Sequence, residues 1–347
     1  MIWLIIQGDI YGLREGKLNM KRRSFLEKLS LAGSSLTIGQ LQSARAQNFP
    51  TRPLRLMVGF PPGGGIDFTA RTIQPGLEAG LGQPLVVEYK PGAGGVIAAG
   101  ELSRAAADGY SLLIANTGPF AIAPFLQAKQ PYDPIRQFTY IGQIAEAGYI
   151  AATKFDHPAK DLREFIDWAR SNRSKANYAS GGVGSSTHLN GELLNAVANL
   201  DITHVPYKGS APAVQDLIAG QTHLLIDAGT VLLQQIKGGK LRALAVTSAK
   251  RDPSLPDTPT VKELGLHGME ASGFQGLVGP AGLPRDIVER LSKELAKVLA
   301  MPEVKSKFAS AGSEVMPRQA KEFAEFVKAE SDKWSKVIRD RKLQLTA

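Results

Sequence analysis

Along residues 47–347 the spacing of apolar positions alternates between two periods, and each change marks an element. Residues 54–58 are a short apolar run, broken by Phe60-Pro61-Pro62-Gly63-Gly64-Gly65, which predicts a buried strand. Ala70, Ile73, Leu77 and Leu81 then recur three or four apart, the face of a helix that stops at Gly82-Gln83-Pro84. Strands at 85–88 and 112–115, with a glycine loop at 90–95 and a small-residue helix over 98–107, complete a first set of units. A second set repeats the strand, loop, helix order. It has a helical face of Leu162, Phe165, Ile166 and Ala169, a strand at 177–179, a loop over 180–188 and a helix to about Ala198. Strands at 203–205, 224–226 and 241–246 and a helix over 213–219 follow, the second of those strands ending at Asp227. Segments 139–153 and 271–278 are apolar and extended and lie where one set gives way to the other, so they predict two crossings of the chain. Helices over 287–299 and 323–338 end it, the last with a packing stripe of Phe323, Phe326, Val327, Glu330, Trp334 and Val337. The alternation predicts an α/β fold with a mixed, mostly parallel sheet in each of two domains. Domain 1 is 47–150 plus 272–347, and domain 2 is 151–271.

Length agrees with that division, because 347 residues exceed one small core and suit two α/β domains. A hydrophobic fraction of 43% with 21% charged residues is that of a globular chain. No run reaches the roughly 18 apolar residues that cross a bilayer. The N-terminal segment reads as an address. Lys21-Arg22-Arg23-Ser24-Phe25-Leu26 is followed by a modestly apolar stretch, 29–38, and then by Ala44-Arg45-Ala46, the order of a cleavable export signal with a twin-arginine character. Met20 is then the expected start, 20–46 the signal peptide, and 1–19 upstream translation. The first 46 residues hold seven Lys/Arg and three Asp/Glu, which leaves 34 against 29 and a net charge of +5. That charge is scattered, without a basic run interleaved with aromatics, so nucleic acid is a poor partner. The absence of cysteine excludes disulfides, thiol nucleophiles and zinc-thiolate sites.

Three glycine-rich loops directly follow strands and precede helices, at Gly63-Gly64-Gly65, Gly92-Ala93-Gly94-Gly95 and 180–184. Open α/β sheets present ligands at that place. Glycine there serves as a tight turn, or exposes amides at a helix start where the dipole favours an anion. Asp67 either caps its helix or, as a free acceptor, binds a ligand ammonium, in which case ammonium- or amide-bearing ligands outrank plain dicarboxylates. Ser185, Ser186 and Thr187 offer hydroxyls to a carboxylate, and His188 is either a ligand contact or a structural hydrogen bond. Catalytic patterns fail. There is no G-x-S-x-G elbow, no G-x-G-x-x-G, no Walker lysine, and none of the five histidines pairs at i, i+4. A hydrolase built from Ser185, His188 and Asp227 is the remaining enzymatic arrangement, and it requires Ser185 and His188 side chains in hydrogen-bond reach.

Phe60-Pro61-Pro62-Gly63-Gly64-Gly65-Ile66-Asp67, Lys90-Pro91-Gly92-Ala93-Gly94-Gly95, Tyr207-Lys208-Gly209 with Pro212 and Asp216, and the segment 276–284 together resemble the substrate-binding receptors of tripartite tricarboxylate transporters, the Bug family. The resemblance runs in order over nearly all of the chain after the leader. It implies a two-domain, type II periplasmic-binding-protein fold that closes like a flytrap, needs no cofactor or metal and works as a monomer. It also implies a small carboxylate, amino acid or related metabolite as ligand, and a membrane permease as partner. A sensor kinase is the alternative partner. Carried onto this chain, the ligand contacts are Phe60, Gly63, Gly64, Gly65, Asp67 and Thr117 on one side. Ser180, Gly182, Ser185, Thr187 and His188 stand opposite, with Asp227 at a strand end facing the same cleft.

Overall fold

The computed structural model describes residues 49–126 and 132–340. The segments expected to be upstream translation, 1–19, and an export signal, 20–46, lie outside the described residues. Strands β1 (Leu54–Val58), β2 (Leu85–Tyr89) and β3 (Ser111–Asn116) are parallel, with β1 in the middle. Helix α1 (Gly65–Leu81) joins β1 to β2, and α2 (Val96–Leu102) precedes β3. After β3 comes a helical segment, Gly118–Ile122, continued by α3 (Ala123–Leu126).

A single long strand, β4 (Phe138–Lys154), then serves both halves of the sheet. Its first part pairs antiparallel with β9 (Ser272–Pro280), from Phe138 to Gly148. Its last part, from Tyr149, lies between β7 (Leu224–Ala228) and β8 (Leu241–Val246). Register breaks at Tyr140/Gly142, Gln143/Ala145 and Ala151/Ala152 mark bulges, which twist and bend such a strand from one half into the other. The second half repeats the first. β5 (Asn177–Ser180) lies between β6 (Thr203–Pro206) and β7, all parallel, giving the path β2-β1-β3-β9-β4-β7-β5-β6. Helices α4 (Leu162–Ser171), α5 (Ser186–Ala198), α6 (Ser210–Ala219) and α7 (Gly229–Lys237) accompany it.

The chain returns to the first half through β9, α8 (Arg285–Ala300), α9 (Pro302–Ser310), the two-residue β10 (Glu314–Val315) on β4, and α10 (Ala320–Asp340). In α10, Phe323 is fully buried, with its ring edge-on to Tyr140 at 5.2 Å and to Phe274 at 5.8 Å, while Val327 and Trp334 continue the stripe. Four helical segments depart from the spacing argument. The helix at α2 ends at Leu102 rather than 107, since the chain turns through Gly109 (φ 83°) to bring Tyr110 beside Arg55. Helix α7 opens with Gly-Thr-Val-Leu-Leu, which continues the apolar run of β7 without a change of period. Helix α9 and the helix after β3 are too short to establish a period.

Candidate functional site

In each half the middle strand and its neighbour point their carboxyl ends the same way, so the turns after β1, β3, β5 and β7 gather at one place. They enclose a cavity of ≈ 70 Å³ lined by Phe60, Gly64 and Gly65 after β1, Asn116 and Thr117 at the end of β3, Gly181 and Ser185–Thr187 after β5, and Asp227 and Ala228 at the end of β7. Ala147 and Tyr149 of β4 and Gly273, Phe274 and Gln275 of β9 complete the wall, as does Ser210.

Four helices begin at this cavity: α1, α5, α6 and α7. The N-caps of α1, α6 and α7 are Gly64, Gly209 and Ala228, none with a side-chain cap. Helix starts leave backbone N–H groups unpaired and carry the positive end of the dipole, so the wall is electropositive without any arginine or lysine. The fourth start is capped. Ser185 Oγ accepts from the His188 N–H at 3.3 Å and donates to the Gly182 carbonyl at 2.6 Å, and Thr187 Oγ1 accepts from the Gly181 N–H at 2.7 Å.

Other groups hold this wall in place. Thr117 Oγ1 accepts from the Phe274 N–H at 2.9 Å, tying β3 to β9. Burial pushes the Tyr149 phenol up to about 12, and its hydroxyl lies in hydrogen-bond reach of Ser186 and Thr117. Gln275 accepts from Thr69 through its side-chain oxygen, while its amide nitrogen lies toward Gly65. Asp227 is the acid of the site. Its Oδ1 accepts from the Ala228 N–H at 2.7 Å, and burial pushes its carboxyl up to about 6 against the opposing pull of the Ser210 hydroxyl and that N–H.

Of the twelve residues expected from sequence, Phe60, Gly64, Gly65, Thr117, Ser185, Thr187 and Asp227 line the cavity, and five do not. The Asp67 carboxylate is no free acceptor: it takes the Gly63 N–H at 2.9 Å, the Tyr89 hydroxyl at 2.6 Å and Arg71 at 3.4 Å. Those bonds fix the loop and also occupy the Gly63 amide. His188 is buried behind the wall, its Nδ1 accepting from the Gly184 N–H at 3.2 Å and its ring stacked on His204 at 4.0 Å. Burial lowers the two imidazoles to about 4 and about 3, so both are neutral at pH 7. Ser180 Oγ bonds His204 Nε2 at 2.7 Å and accepts from the Gly182 N–H at 3.1 Å, which turns both residues inward. Gly182 instead borders a second cavity of ≈ 470 Å³, shared by the loops around Gly92–Gly95, Gly182–Val183 and Tyr207–Gly209, with Phe60 and Gly181 common to both cavities.

The sequence of the receptors called TctC, the tripartite tricarboxylate transporter family receptor, matches residues 69–343. The chain belongs to this family. It is 31% identical over 305 residues to protein BugT of Bordetella pertussis, covering 88% of this chain and 94% of that one. Two solved structures from Rhodopseudomonas palustris are similar in fold and sequence. MatC with bound malate has a TM-score of 0.81 at 33% identity over 84% of this chain and 100% of its own. Rpa4515 with adipate has a TM-score of 0.82 at 33% identity over 85% and 99%. These neighbours are two-domain periplasmic binding proteins, and their fold is the fold of this chain. The family consists of solute-binding receptors, not enzymes, and the site agrees: Ser185 Oγ bonds backbone groups and Thr187, the His188 ring bonds Gly184, and no Ser185–imidazole pair forms.

Ser186, expected to offer a hydroxyl to a carboxylate, lines the cavity, and Asn116, Tyr149, Ser210 and Gln275 line it without having been singled out as ligand contacts. Ser186 and Ser210 sit at helix starts visible in the sequence. Tyr149 and Gln275 lie inside the two extended segments, and only strand pairing brings them to the site, β4 with β7 for Tyr149 and β4 with β9 for Gln275.

Proposed function

We propose that this protein is a periplasmic receptor that captures a small carboxylate-bearing metabolite between two lobes, 47–150 plus 272–347 and 151–271, and delivers it to a tripartite tricarboxylate-type permease. The observation that carries the proposal is the convergence of four helix starts, from both halves of the sheet, on one cavity that holds no lysine or arginine. Such a wall selects an anion of carboxylate size, and amides from two sides strengthen each bond as water is excluded. The malate and adipate held by MatC and Rpa4515 support the same ligand class. Ligand then shifts the population toward the closed form and raises the melting temperature by mass action.

The test is a thermal-shift screen against mono-, di- and tricarboxylates of three to eight carbons, followed by calorimetry and by mass spectrometry of any co-purified ligand. Stabilisation by at least one carboxylate, saturating with one site per chain, is expected. A screen in which no carboxylate raises the melting temperature defeats the reading.

A further inference from the structure

Helix starts account for a carboxylate, but one atom of the cavity wall asks for the opposite kind of group. Asp227 is 5% exposed and lines the cavity, and although its Oδ1 is bonded to the Ala228 N–H and the Ser210 hydroxyl lies beside the carboxyl, its buried Oδ2 has no hydrogen-bond partner. No ion pair to Asp227 exists among the described residues, and the hydroxyl of Thr230, three residues on, is likewise buried and unpartnered. A buried carboxylate oxygen without a donor is costly, and native structures supply a partner. We infer that Asp227 Oδ2 accepts a hydrogen bond from the ligand itself, so that the preferred ligand is a carboxylate that also carries an ammonium or hydroxyl group. This rests on the receptor reading above and adds the polarity of the ligand's second contact.

Charge argues in the same direction. With its carboxyl near 6, Asp227 is mostly ionised at pH 7.5, and a bare second carboxylate placed against it would meet like charge in a water-poor site. A donor meets an acceptor there and completes the wall. Asp67, whose two oxygens already accept from Gly63 and from Tyr89 and Arg71 and which does not line the cavity, does not fill this role.

The experiment is a ladder of ligands measured by calorimetry at pH 7.5. At each length from three to six carbons, the plain acid is compared with its 2-hydroxy and 2-amino counterparts, for the wild type and for Asp227→Asn. In the wild type, the tightest donor-bearing acid should bind about tenfold or more tighter than the plain acid of the same length. Asp227→Asn should compress that ratio at least fivefold. Plain diacids such as succinate or adipate that bind as tightly as their donor-bearing counterparts overturn the inference, and so does an unchanged ratio in a folded Asp227→Asn protein. If that variant does not fold, the wild-type ladder decides alone. A ladder in which nothing binds defeats the receptor reading, and this inference falls with it, whereas binding without discrimination defeats the inference only.

Discussion

The two halves meet glycine against glycine, and Gly94 is where a single methyl group tests whether that meeting governs binding. Gly94 lies at φ 63°, and a Cβ built on it would stand 2.7 Å from the Ser185 nitrogen and 2.9 Å from the Gly184 carbonyl carbon and the Val183 oxygen. All three are backbone atoms at the start of α5, so no rotamer change relieves the contact. Two costs separate cleanly. The left-handed backbone costs a non-glycine residue about 1–2 kcal/mol whether the lobes are open or closed, and so lowers stability without touching affinity. The contact costs about 1–3 kcal/mol as overpacking, and only when the two loops touch, so it falls on the closed form. At 1.4 kcal/mol per decade, the dissociation constant of any carboxylate ligand should rise roughly 5- to 150-fold in Gly94→Ala. Gly82→Ala is the control, since Gly82 has φ 71° and nothing within 4 Å of its built Cβ. It should lose about the same backbone stability in urea denaturation and bind as the wild type does in calorimetry. Gly94→Ala binding within a factor of two of wild type, or Gly82→Ala weakening binding equally, would refute the reasoning.

Asp227 also gives the ligand-free protein a pH signature. Its pKa is raised to about 6, so the folded chain binds that proton more tightly than the unfolded chain, and the wild type loses stability as pH rises through about 4 to 6. The loss is on the order of 3 kcal/mol at most for a shift of about two units. Urea midpoints of Asp227→Asn should match the wild type near pH 4 and exceed it above pH 6.5, and equal midpoints at pH 7.5 would contradict the burial argument. Ser185→Ala removes the cap of α5 and should cost about 1 kcal/mol of stability in chemical denaturation. Trp334→Ala empties a core position that is 2% exposed and should cost about 3–5 kcal/mol, while the order of ligand affinities stays as in the wild type.

How much of this was legible in the sequence depends on whether the information is local. The strands 54–58 and 241–246 coincide with β1 and β8 to the residue, because a buried strand bounded by proline or glycine is written in its own few positions. The α5 cap is equally local, Ser185 followed by an apolar helix face. Helices α7 and α9 were not legible, since one begins in mid-run and the other spans only nine residues. Asp67 shows the limit of local reading from the other side. A carboxylate just after three glycines looks free for a ligand, but Tyr89, 22 residues on, is brought beside it when β2 pairs with β1, and its hydroxyl takes the acceptor.

The site divides along the same line. The part that grips a carboxylate is made of backbone at the helix starts, and backbone availability leaves a sequence trace, the glycines and small residues at Gly64, Gly65, Ser186 and Ser210. The part that chooses among carboxylates is made of side chains from strands that meet only in the folded sheet: Tyr149 on β4, Gln275 on β9 and Asp227 on β7. Tyr149 pairs with Ala228 across the β4–β7 ladder, so the phenol and the Asp227 carboxyl come from adjacent rungs, although 78 positions separate them in the chain. A fold that holds the first part constant can therefore change its ligand by substituting three strand positions without disturbing a helix start. On that argument, exchanging Asp227 for asparagine should alter which carboxylate binds best more than it alters whether carboxylates bind.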